Sequence, residues 1–173
     1  MRNLLVLLIF ISLNSTAQDS SIDFCKMLKA DQSNLGIGLD FNSDSAVAER
    51  SKRYHTFETN FSILIQSTRD KGFPNIQNHP DDTCVDDLAI MTLVHIAQSN
   101  PRLIFNDTII NLFTNELDKG NLREQLLYAM IIGYTKFGHP LEKDRLIVES
   151  AIKSWKLENK IKDSYKIKYY TEP

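Results

Sequence analysis

Two cysteines, Cys25 and Cys84, are all that the 173-residue chain contains, so it has neither a Cys-x-x-Cys pair nor a zinc-type cluster. Basic residues are no more plentiful than acidic ones, with 20 Lys and Arg against 22 Asp and Glu. Binding to nucleic acid relies on a basic excess that is missing here. Six glycines and five prolines are few, and with 42% hydrophobic residues the composition is not that of a disordered chain. The sequence lacks a Gly-rich phosphate loop and a Gly-x-Ser-x-Gly elbow, which leaves the familiar enzyme classes without support. After the first residues there is no second long apolar run, and no internal repeat is evident.

What is present begins with a leader. Met1, Arg2 and Asn3 run into the apolar stretch "LLVLLIFISL", followed by the small and polar "NSTAQ". This order predicts a cleaved secretory signal peptide over 1–17. The apolar core is about half the length that spans a hydrocarbon layer, so no transmembrane anchor is expected after cleavage. Ser15 and Ala17 supply the small side chains before a cut between Ala17 and Gln18, and no cysteine follows directly to carry a lipid. The expected location is periplasmic or extracellular. Removing 17 of 173 residues leaves 156, one domain with an ordinary core, and losing Arg2 moves the formal charge from −2 to −3.

The remainder reads as helices. Tyr54, Phe57, Phe61, Leu64 and Ile65 recur at helical spacing between Ser45 and Lys71, and Gly72 and Pro74 end that helix. A second helix, from about Thr83 to Gln98, is apolar on nearly every side and belongs in the centre of a core. Its cap is Asp82 or Thr83, with Asp86 completing an imperfect capping box. A third runs from Asp107 to Asp118. The fourth opens on "NLRE", in which Asn121 and Glu124 form a capping box, and breaks at Gly138 and Pro140. The fifth spans about Leu141 to Asn159, with Val148, Ala151, Ile152 and Trp155 facing the core. Short connections favour antiparallel neighbours. The expected fold is therefore all-α, an antiparallel bundle of about five helices behind the signal peptide, with a short helical solenoid as the alternative. The segment 18–44 holds a short helix at "FCKMLKA" and then a loop, 45–162 is the helical domain, and 163–173 is an extended tail.

The order "RYHTFETN", "KGFPN", "LVHIAQSNP" and "ELDKGNLREQLLYA" resembles a bacterial domain family of unknown function over about residues 53–137. The resemblance implies a helical fold and singles out Arg53, Asn60, Gly72, Phe73, Pro74, His95 and Gly120. The chain departs from that family in lacking an Asp-Arg pair late in the fourth helix and a Gln-ending motif near the C-terminus, and the family implies no chemistry.

Candidate reactive groups concentrate in "GFPNIQNHPDDTCVDDLAIMTLVHIAQ". The candidate catalytic residues are His79, Asp82 and His95. Within one straight helix Cys84 and His95 share a face but lie about 16 Å apart along the axis, too far for a dyad. His95 sits among apolar neighbours, which fits a hydrogen-bonded core histidine; the functional alternative is a neutral imidazole acting as base or ligand. Asp81, Asp82, Asp86 and Asp87 suit the start of a helix, where backbone N–H groups favour negative charge, and their spacing matches no calcium loop. His55 and Glu58 reverse the Glu-x-x-His order of di-iron bundles and occur once. No metal or cofactor is expected.

In the tail, Lys153, Lys156, Lys160, Lys162, Lys166 and Lys168 outnumber Glu158, Asp163 and Glu172. They form either a solvated helix end or, with Tyr165, Tyr169 and Tyr170, a strip for an acidic partner. Export and an even pair of cysteines predict a Cys25–Cys84 disulfide; the alternative is a reactive Cys84 thiol at a helix start. The functional expectation is a non-enzymatic binding protein whose partner is a protein or other envelope component. The alternative is a hydrolase-like enzyme using a histidine and a carboxylate near the start of the second helix.

Overall fold

The computed structural model describes residues 22–33, 44–138, 140–164 and 167–171, without the side chains of 162–164. The expected signal peptide over 1–17 lies outside them, as do Tyr165, Lys166 and Glu172. The described residues form seven helices and no strand: α1 (Phe24–Ser33), α2 (Asp44–Lys71), α3 (Val85–Ser99), α4 (Asp107–Asp118), α5 (Glu124–Phe137), α6 (Arg145–Ser154) and α7 (Glu158–Ser164). The fold is an all-α helical bundle, and no described helix is long and apolar enough to cross a membrane.

Helix α3 is central because its sequence leaves it little polar surface: Val85, Leu88, Ala89, Thr92, Leu93, Ile96 and Ala97 are all buried. It packs on α5, α2 and α1. Helix α2 runs antiparallel to it, since Glu58 reaches the Asn100 cap of α3 while Lys71 leads back toward the α3 start. Four of the five residues expected on the inner face of α2, namely Phe57, Phe61, Leu64 and Ile65, are buried. Tyr54 is exposed instead, with its ring 6.4 Å from that of Phe57. A close approach of α5 to α3 is made at Gly133, where a Cβ would stand 2.8 Å from Val94 Cγ1. Phe105, Phe113, Tyr134 and Trp155 add an aromatic group to the main core.

The expected fifth helix is divided. A 3₁₀ turn over Glu142–Asp144 precedes α6, and the chain reverses between α6 and α7. Lys156 adopts φ +58°, while the Lys156 and Leu157 N–H groups donate to the carbonyls of Lys153 and Ile152 in a Schellman closure. A left-handed lysine costs about 1–2 kcal/mol. Burying both Trp155 and Leu157, 1% and 0% exposed, returns about 1.5–3 kcal/mol for each large apolar side chain, so burial wins over a straight continuation. Of the expected tail over 163–173, residues 163 and 164 end α7 and the described 167–171 are non-helical; this last stretch is fastened, the Tyr170 N–H donating to Pro140 O and the Glu142 N–H to Tyr170 O, each at 2.8 Å.

The expected capping boxes do not form. Arg123 occupies the cap position of α5 without a side-chain bond, because the Asn121 amide is drawn to Glu116 and Glu124 pairs with Lys160 at 3.0 Å. Cys84 occupies the cap position of α3, again without a side-chain bond. Asp86 turns away to accept from the Ile76 N–H and to pair with Arg123 at 2.8 Å.

Candidate functional site

Two carboxylates that interrupt apolar stripes organise the region around α3. The first is Asp31. Phe24, Leu28 and Asp31 are spaced i, i+4, i+7, so the carboxylate continues the inner face of α1, and its side chain is 0% exposed. Its Oδ2 lies 2.9 Å from His95 Nδ1, whose side chain is 14% exposed. This is an ion-pair approach whose alignment falls short of a hydrogen bond, since Nδ1 has no hydrogen-bond partner. The imidazole also lies against Phe57, with ring centroids 4.4 Å apart. Three helices thus meet at His95.

The same seam holds other polar atoms without partners. Asp31 Oδ1, Arg53 Nε, Asn60 Nδ2 and Thr92 Oγ1 are all buried and make no hydrogen bond. Arg53 and Asn60 lie one turn either side of Phe57 on α2, and Thr92 lies one turn before His95 on α3, so they line the polar stripe that Phe57 and His95 join. The Ser99 hydroxyl, one turn beyond, donates to the His95 carbonyl at 2.8 Å and is held to its own helix.

The second carboxylate is Glu116, on the Ile109–Phe113 face of α4. Its Oε2 accepts from the Phe73 N–H at 2.9 Å and the Asn121 amide at 2.8 Å, and Oε1 accepts from Lys119 at 2.8 Å. Burial pushes this acid upward, but the hydrogen bonds from Lys119, Asn121 and Phe73, with the Lys119 charge, outweigh it and hold the group below the ordinary 4.5. Gly72 has φ +88°, and a Cβ there would stand 2.9 Å from Asn121 Nδ2 and 3.2 Å from Glu116 Oε2. Phe73 and Pro74 are buried beside it, and Gly120, φ +77°, closes the end of α4. Gly72, Phe73, Pro74 and Gly120 therefore belong to a turn organised by Glu116. Arg53, Asn60 and His95 belong to the seam.

His79 and Asp82 have other partners. The His79 ring meets Phe24 edge-on at 5.0 Å. Asp82 Oδ2 accepts the Phe24 N–H at the start of α1, and Oδ1 accepts the Cys84 N–H, both at 2.9 Å. The carboxylate thus ties α1 to the approach to α3. Cys25 and Cys84 are joined as a disulfide across 59 positions, with Cα atoms 4.9 Å apart. Asp82 completes a group with the two sulfurs within 4.8 Å, but bonded sulfurs are not the thiolates that bind metal. The carboxylate beside His95 is therefore Asp31, a residue outside the sequence candidates. No family model, curated protein or solved structure matches the chain.

Proposed function

We propose that this chain is an exported, disulfide-stapled helical protein that acts by binding another macromolecule of the cell envelope. The observation that carries this reading is the corner between α5 and α6. Phe137 is 67% exposed and Leu146 81% exposed; they bracket one connection, and Tyr170, also exposed, is fastened to it through Leu141. Exposed apolar side chains gathered at one place mark contact surfaces. The corner is also tied by side-chain contacts. The Arg145 guanidinium lies 5.0 Å over the Tyr169 ring, and burial, with the charge of Asp144 adding to it, pushes the nearby Tyr134 hydroxyl up to about 12. The Leu141 backbone pulls the other way but makes no well-aligned bond with that hydroxyl. A preorganised face loses less conformational entropy on association.

Affinity capture from an envelope extract with the wild type and with the Phe137→Ser, Leu146→Ser double variant tests this. A stoichiometric partner held by the wild type and released at least tenfold more readily by the variant is expected. Equal retention by both would remove the corner from the proposal.

A second reading rests on the 2.9 Å approach of Asp31 to His95, which sets a carboxylate beside an imidazole, the pair of groups that a general base uses once they align. Substrate-dependent turnover lost in His95→Asn and weakened in Asp31→Asn, with partner capture intact, supports it over the first.

A further inference from the structure

Helix α1 is attached to the bundle differently from every other helix. Its apolar contacts form a separate small cluster of Phe24, Val85 and Leu88, bordered by Ile22, Met27 and Leu28, outside the main core. Ten residues are too few to hold a helix in isolation. Beside its packing on α2, four links tie α1 to α3 and its approach among the described residues: this cluster, the Asp82 bond to the Phe24 N–H, the Asp31 approach to His95, and the Cys25–Cys84 bridge. Three of them lie in the first turns of α1, and the only covalent one joins two half-buried cysteines. Beneath α1 lie Val85 and Leu88, 0% and 1% exposed, and the Nδ1 edge of His95.

We infer that α1 is a redox-releasable strap: reduction of the Cys25–Cys84 bridge frees it from α3, uncovering the Val85–Leu88 face and separating Asp31 from His95, while the main core stays folded. The reductant is a dithiol. One of its thiolates attacks Cys25 Sγ, a mixed disulfide forms, and Cys84 leaves as a thiolate at the start of α3, where the helix terminus favours it and the neighbouring Asp82 carboxylate opposes it. The second thiol of the reductant, as its thiolate, then displaces Cys25, and protons restore both cysteine thiols. Two electrons and two protons pass from the dithiol, which ends as its own disulfide. The strap depends on the bridge, because the small cluster, two polar contacts and the packing on α2 must otherwise offset the entropy of ordering ten residues.

Hydrogen exchange read by mass spectrometry on the full chain, before and after reduction with dithiothreitol, tests the inference; the Cys25→Ser, Cys84→Ser variant provides a second route. The expected result is that residues 24–33 exchange at the rate of an unfolded segment, while residues 124–137 stay protected, though less strongly because loss of the cross-link also lowers global stability. Unchanged protection of 24–33 in the reduced protein would overturn it, since the noncovalent contacts would then suffice. Exchange of both segments at the unfolded-chain rate would also overturn it, as the bridge would then be supporting the whole fold. A bridge that resists reduction until denaturant is added would overturn it as well.

Discussion

Glu116 is the residue whose removal should be felt most. It is 2% exposed and satisfies three donors, one of them the backbone N–H of Phe73. Replacing it by Ala leaves the Phe73 N–H and the Asn121 amide buried without an acceptor, and the expected loss is about 2–4 kcal/mol, read by urea denaturation. Because its folded-state pKa is depressed, its contribution is present above 4.5 and is lost as pH falls through the lowered value. Thermal unfolding of the wild type below pH 4.5 should therefore steepen with acid, and Glu116→Gln should flatten that dependence. An identical slope in the two proteins would show that Glu116 is not the group responsible. The position of this acid was legible in the sequence: Ile109, Phe113 and Glu116 share a helical face. Asp31 can be found the same way, from Phe24 and Leu28. Their partners were not legible, because 43 positions separate Glu116 from Phe73 and helical periodicity says nothing about contacts at that range.

At the scale of elements, strong local signals held and competing ones were decided by packing. Helix α4 occupies the expected Asp107–Asp118 because its amphipathic pattern and its Asn106 cap agree, the Asn106 side chain accepting from the Ile109 N–H at 3.1 Å. The "NLRE" box gave way because its Asn121 had a buried carboxylate within reach. The reversal after α6 could not be read from residue type, since lysine takes the place that Gly120 fills after α4. That contrast supplies a prediction. Lys156→Gly removes about 1 kcal/mol of left-handed strain, less the larger freedom of glycine in the unfolded chain. It also removes an exposed ion pair with Asp118 at 3.3 Å that contributes little. A net gain of about 0.5 kcal/mol in chemical denaturation is expected; a loss above 1 kcal/mol would show that the lysine stem packs on the groove formed by Leu122 and Trp155.

For the whole molecule, the cross-link between Cys25 and Cys84 has the clearest consequence for stability. Thiol labelling of the exported, denatured, unreduced protein should find no free thiol, and two per chain would sink the bridge. In the loop-entropy model a bridge over 59 positions restricts the unfolded chain by about 3–5 kcal/mol. The double Cys→Ser variant should accordingly unfold at lower urea, with a folded core remaining if the net stability is in the usual range of about 5–15 kcal/mol. The cysteine pairing followed from parity and the expected leader. The two-part core did not, because it depends on which apolar residues of α1 and α3 meet, and a helix as uniformly apolar as α3 does not announce which face receives which neighbour.

The chain carries its own optical reporter. Trp155 is the single tryptophan, 1% exposed, with Phe105 and Phe113 ring centroids 6.4 and 6.2 Å away. It belongs to the main core and has no part in the cluster beneath α1. Its emission should stay blue-shifted whatever α1 does and move to the red only when the main core admits water. Fluorescence and far-ultraviolet circular dichroism recorded together during reduction would therefore separate in time: a small loss of helical signal at constant emission, then a joint change on global unfolding.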